Sequence, residues 1–122
     1  MSLTEKVSQL KASSAHTHWL YQRLSALALL VLSGFWLVFI SHAGAFSYGE
    51  LLNWLSSPLN ALFMALWLGM VAYHAALGLE VIFEDYLSDL ARRQRMIKIS
   101  YWSFAVISVF GWLLILKLFM GS

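Results

Sequence analysis

The chain has 122 residues, of which 61% are hydrophobic and 11% charged. A soluble globular domain carries roughly 25% charged residues, so this chain cannot cover a water-facing surface, and residence in a membrane is the expected class. The formal net charge is +2 and cysteine is absent, which excludes disulfides, iron–sulfur ligation, covalent c-type haem attachment and cysteine-based catalysis within the chain.

Residues 1–18 are read as a polar N-terminal arm, on the membrane surface or docked on a partner, because polar and charged residues stand where the apolar core of a cleaved signal would begin. Residues 19–122 then form a single transmembrane domain, and the fold class expected is an all-α membrane protein with three transmembrane helices. The first apolar run is LSALALLVLSGFWLVFI, Leu24 to Ile40, predicting a helix over about 20–41. In SYGELLNWLSSP, Ser47 and Glu50 have capping-box spacing, and Leu51, Leu52, Trp54 and Leu55 predict a short helix along the membrane interface. Ser57 and Pro58 form an N-cap and first-turn pair for a second span over about 58–84. A third span is predicted over about 98–120. Each apolar run reaches the roughly 20 residues that a helix needs to cross a hydrocarbon core about 30 Å thick.

Orientation follows from the eight Lys and Arg residues. Lys6, Lys11 and Arg23 stand at or before the first span, and Arg92, Arg93, Arg95 and Lys98 follow the second. None lies in the 41–58 connection, and Lys117 stands near the C-terminus. The positive-inside bias puts the N-terminus and the ARRQRMIK loop in the cytoplasm and the C-terminus in the periplasm. A basic run beside a span is a topology determinant that meets lipid headgroups or a partner, and no nucleic-acid readout module accompanies it.

The segment AYHAALGLEVIFEDYL, residues 72–87, carries the chemistry. His74 lies near the middle of the second span, inside a stretch from 51 to 79 that has no Asp, Glu, Lys or Arg. An ionisable side chain at that depth is costly, and two readings stand: a hydrogen bond to a neighbouring helix, or axial ligation of haem iron. Gly78, one turn on, removes a side chain beside the imidazole, which makes room for a porphyrin edge or for another helix. Trp67 and Met70, on the same face, are read as ordinary packing.

Asp85 falls about 16 Å further along the helix and only about 20° around it from His74. Asp85 and Tyr86 are either interfacial residues or a carboxylate and phenol that hold a polar ligand head and a basic partner. Arg23 is either a snorkelling anchor or a guanidinium fork for an anionic group such as a haem propionate, with His18 five residues earlier. His16 and His42 are read as interfacial. No phosphate loop, nucleophile–base pair or multi-residue metal set is present in the sequence. One mid-membrane histidine cannot complete a bis-histidine haem, so a second ligand has to come from another chain.

Together, HWLYQRLSALAL at 18–29 and YHAALGLEVIFEDYL at 73–87 resemble the small membrane-anchor subunit of succinate dehydrogenase, respiratory complex II. The elements that carry the resemblance are His18-Trp19, Arg23, His74, Gly78-Leu79 and Asp85-Tyr86 in that order and spacing, within a three-span layout that covers essentially the whole chain. The pattern is closer to the alphaproteobacterial and mitochondrial type. The resemblance implies that His74 supplies one axial ligand of a haem b shared with a larger cytochrome b anchor subunit. It further implies that Tyr86 hydrogen-bonds a quinone carbonyl, that Asp85 orders an arginine of the partner, and that Arg23 and His18 contact haem propionates or shape the quinone pocket. FAD and iron–sulfur clusters would sit in the flavoprotein and iron–sulfur subunits, and the location implied is the bacterial inner membrane. Glu80 departs from the family pattern, where an uncharged polar residue such as Gln is common. The alternatives are an anchor of fumarate reductase or another cytochrome b, and a small proton-conducting subunit in which His74, Glu80 and Asp85 form a relay.

Overall fold

The computed structural model describes residues 2–43 and 47–121. Among these residues the chain is entirely helical, with α1 at Leu3–Ala43, α2 at Tyr48–Leu55, α3 at Pro58–Tyr86 and α4 at Leu90–Phe119. The three helices α1, α3 and α4 are each long and apolar enough to cross a membrane, and α2 is the short helix expected between the first two spans.

Two helices begin well upstream of their predicted starts near 20 and 98. The arm is helical, and α1 runs unbroken for 41 residues. It opens on a capping box in which Ser2 Oγ accepts from Glu5 N at 3.3 Å and Glu5 Oε2 accepts from Ser2 N at 2.7 Å. At 1.5 Å per residue α1 is roughly 60 Å long, about twice the hydrocarbon thickness. Its first half, bearing Lys6 and Lys11, therefore continues the spanning axis out of the apolar layer. The basic run ARRQRMIK likewise lies within the first turns of α4 and is not a loop. The reason is the same in both places. Hydropathy marks where a helix enters lipid, whereas Lys, Arg, Gln, Glu and Ala sustain helical hydrogen bonding beyond that point.

The capping box expected for α2 is present, with Glu50 N donating to Ser47 Oγ at 3.2 Å and Ser47 N donating to Glu50 Oε2 at 2.8 Å. At α3 the extended Ser57 precedes Pro58 at the first helical position, but the Ser57 side chain makes no cap hydrogen bond. Only Leu87, Ser88 and Asp89 separate α3 from α4. This tight turn is held by Arg93, whose Nε and Nη2 donate to the Leu87 carbonyl at 3.0 and 2.9 Å.

α3 is the central helix. α4 packs along it on one side and α1 on another, α2 touches α3 and α4, and the backbones of α1 and α4 stay apart. Lipid gives helices no hydrophobic drive to associate, so close approach relies on small residues and polar ties. Ala72 and Ala76 of α3 and Ser108 of α4 are buried. A Cβ added at Gly69 would stand 3.1 Å from the Trp112 ring, and one at Gly111 would overlap the Leu68 side chain. Trp112 Nε1 completes this seam by donating to the Ala65 carbonyl at 2.9 Å. On the α1 side Trp67 Nε1 donates to Ser33 Oγ at 3.2 Å. Trp36, Phe39, Trp54 and Phe63 gather α1, α2 and α3 into an aromatic knot, with Trp36–Trp54 and Phe39–Trp54 centroids 5.1 and 4.9 Å apart. Large apolar side chains such as Leu37 and Phe110 remain about 70% exposed, a surface suited to lipid or to other chains.

Candidate functional site

Four residues at helical spacing on α1, namely Trp19, Gln22, Arg23 and Ala26, face His74 of α3 across a half-open cleft of about 300 Å³. Each arrives there for a local reason. Trp19, Gln22, Arg23 and Ala26 occupy one stripe of α1 because residues three and four apart share a helical face. His74 sits on the α1-facing side of α3, within hydrogen-bond distance of Ser25 of α1.

The imidazole is anchored at one nitrogen. His74 Nδ1 lies 2.9 Å from the hydroxyl of Ser25, which is itself 2% exposed and donates to the Gln22 carbonyl at 3.0 Å. His74 Nε2 makes no hydrogen bond among the described residues, and it is not one of the enclosed polar atoms. The Arg23 guanidinium lies over the Trp19 indole at 5.5 Å, and one turn before Trp19 the His16 ring stacks on the same indole at 6.0 Å. Among the described residues Arg23 has no carboxylate within ion-pair distance. A Cβ at Gly78 would meet nothing within 4 Å, so the space beside the imidazole is open on that side. The cleft thus presents a nitrogen lone pair, a cation with no ion-pair partner among the described residues and a flat aromatic wall.

Of the residues singled out in the sequence, His74 and Arg23 come together here. His18 does not line the cleft; it turns to α3, where its Nδ1 lies 3.8 Å from Glu80 Oε2. Asp85 and Tyr86 lie apart at the end of α3, both exposed, Tyr86 to 83%, and neither makes a side-chain hydrogen bond or ion pair among the described residues. His42 bonds its own helix, Nδ1 to the Val38 carbonyl at 2.8 Å, far from His74 in α1.

The structure also accounts for Glu80. Tyr101 of α4 donates its phenol to Glu80 Oε2 at 2.5 Å, while His18 of α1 approaches the same oxygen. Glu80 is therefore a polar tie that joins all three spanning helices. Ser25 and Tyr101 are participants that sequence reading missed, as is Gln22 in the cleft wall. A serine within LSALALL and a tyrosine near the start of an apolar run carry no pattern of their own.

A family model described as the succinate dehydrogenase/fumarate reductase transmembrane subunit matches residues 2–115. The chain belongs to this family. Its relatives include proteins called succinate dehydrogenase hydrophobic membrane anchor subunit. The one from Rickettsia bellii is 36% identical over 87 residues, covering 70% of this chain and 69% of the relative. That from Rickettsia felis is 30% identical over 95 residues, 77% and 78% of the two chains. That from Rickettsia conorii is 31% identical over 88 residues, 70% and 69% of the two. Three spanning helices and bacterial relatives named as membrane anchors make this member of the family a multi-pass protein of the bacterial inner membrane.

Proposed function

We propose that the chain is the hydrophobic membrane-anchor subunit of a succinate dehydrogenase, that it helps to hold a b-type haem through His74, and that it forms part of the quinone-reduction site through Tyr86 and Asp85. The observation that carries the haem reading is the cleft in which an imidazole nitrogen and a guanidinium, neither with a hydrogen-bonding or ion-pair partner among the described residues, face one another across α1 and α3. These residues fit the group. His74 Nε2 suits the iron, Arg23 suits a propionate carboxylate, and the cleft is open on one side, so that another chain can supply the opposite ligand. When bound, the haem supplies one-electron chemistry within the membrane; this chain's share is to ligate, orient and neutralise charge.

Asp85 and Tyr86 stand about 16 and about 18 Å further along α3 than His74, at the end that carries the basic run of α4. The Lys and Arg distribution supports a cytoplasmic location for that end and a periplasmic C-terminus, with α2 along the interface of the opposite side. Quinone reduction consumes protons, so a site at a water-facing end is chemically apt. There the Tyr86 phenol can donate to a quinone carbonyl, and Asp85 can pair with a cation of a neighbouring subunit. FAD and iron–sulfur clusters belong to the partner flavoprotein and iron–sulfur subunits, and the larger cytochrome b anchor subunit completes the haem site. A proton relay through His74, Glu80 and Asp85 finds less support, because Glu80 turns to Tyr101 and His18 and no hydrogen bond links it to His74.

Purification of the assembled complex through this chain tests the reading. A flavoprotein, an iron–sulfur protein and a second hydrophobic chain should accompany it, with a b-type reduced-minus-oxidised spectrum. A colourless preparation without flavoprotein would contradict it.

A further inference from the structure

Ser25 is buried to 2% exposure between α1 and α3, and its hydroxyl touches two groups at once: the Gln22 carbonyl at 3.0 Å and His74 Nδ1 at 2.9 Å. A serine hydroxyl has a single proton and two lone pairs, and a carbonyl oxygen can only accept. The proton of Ser25 therefore goes to Gln22, and the contact with the ring is a hydrogen bond only if Nδ1–H donates to Ser25 Oγ. The opposite arrangement sets two lone pairs of oxygen against each other at Gln22. It also leaves an Nε2–H donor with no acceptor among the described residues in an apolar layer, where an unmade donor is expensive. A neutral imidazole protonated at Nδ1 carries its free lone pair on Nε2, the nitrogen that is not enclosed.

We infer that Ser25 is a positioning residue for the axial imidazole: by accepting Nδ1–H it fixes the tautomer and ring orientation of His74 and leaves the Nε2 lone pair to the cleft. This rests on the haem-ligand reading of His74. Metal-bound imidazoles are commonly steered through the hydrogen bond of their other nitrogen, and loss of such a partner weakens metal binding about 10–100-fold. An acceptor on Nδ1–H also makes the ring a stronger electron donor, which favours ferric over ferrous iron. Removing the acceptor thus raises the midpoint potential.

The test uses the purified assembled complex with wild-type chain, Ser25→Ala, Ser25→Thr and His74→Ala, reading haem content per flavin, the reduced-minus-oxidised spectrum and the haem midpoint potential. Ser25→Ala removes one oxygen from a small-residue seam and should leave assembly intact, raise the potential and speed haem loss about 10–100-fold. Ser25→Thr, which keeps the hydroxyl, should hold the wild-type potential. A Ser25→Ala potential that is unchanged or lowered, with His74→Ala stripped of its haem spectrum, overturns this inference and leaves the ligand assignment standing. A Ser25→Thr complex shifted as far as Ser25→Ala marks the effect as packing and overturns it too. A His74→Ala complex that keeps the wild-type spectrum removes the ligand reading, and the role of Ser25 with it.

Discussion

Replacing Tyr101 with Phe deletes one oxygen and isolates a carboxylate inside the helix bundle. In the native chain Glu80 Oε2 accepts from Tyr101 at 2.5 Å and lies 3.8 Å from His18 Nδ1, with the His18 and Glu80 side chains only 27% and 21% exposed. The 3.8 Å approach is too long for a hydrogen bond, so Tyr101 is the principal partner. Hydrogen bonds to charged groups contribute about 1.5–3 kcal/mol, whereas neutral interhelical bonds in membranes average about 0.6 kcal/mol. A partly buried carboxylate falls between these, and Tyr101→Phe should destabilise the helix assembly by about 1–1.5 kcal/mol. His18→Ala, acting at longer range, should cost less than about 1 kcal/mol. The assay is a double-mutant cycle of Tyr101→Phe and Glu80→Ala, read as the resistance of the purified complex to dissociation in mixed micelles of rising SDS content. A coupling energy near zero, or a His18→Ala effect larger than that of Tyr101→Phe, would refute the assignment of Glu80 as a tie between helices.

Other outcomes follow from the same geometry. Tyr86→Phe should impair quinone reduction while succinate oxidation by an artificial dye continues, because only the phenol of this exposed residue is proposed to meet the quinone; parallel activity traces for both acceptors check this. Arg23→Gln should reduce haem retention about 10–150-fold with the absorption maximum unchanged, since a charge-assisted bond of about 1.5–3 kcal/mol is lost while His74 is kept. Haem-to-flavin ratios after gel filtration measure it.

The three spans were legible because apolar runs of about 20 residues have no other common use, and His74 stood out because an imidazole there is costly. The helix starts were not legible. The polar halves of α1 and α4 are good helix formers with no apolar run to announce them, so hydropathy located the membrane and missed the helices. Ser47 with Glu50, by contrast, was readable as a cap because both partners lie within one turn. Helical geometry could order residues around α3, but it could not say which neighbour each would meet. Glu80 stayed without a partner in the sequence because Tyr101 lies 21 positions away on another helix. Ser25 was invisible for the same reason, its partner His74 lying 49 positions away. Tertiary polar contacts between membrane helices leave no periodic trace, although one of these two holds the imidazole of the candidate site and the other ties α3 to α4.

The most direct measurement is the reduced-minus-oxidised spectrum of the purified complex carrying His74→Ala, set beside His42→Ala. Both remove one imidazole from the chain, but among the described residues His42 bonds only within its own helix, to the Val38 carbonyl and the Ser41 hydroxyl. The b-type signal should collapse or shift in His74→Ala and match the wild type in His42→Ala. Equal and negligible effects of the two substitutions would contradict the assignment of His74 as haem ligand.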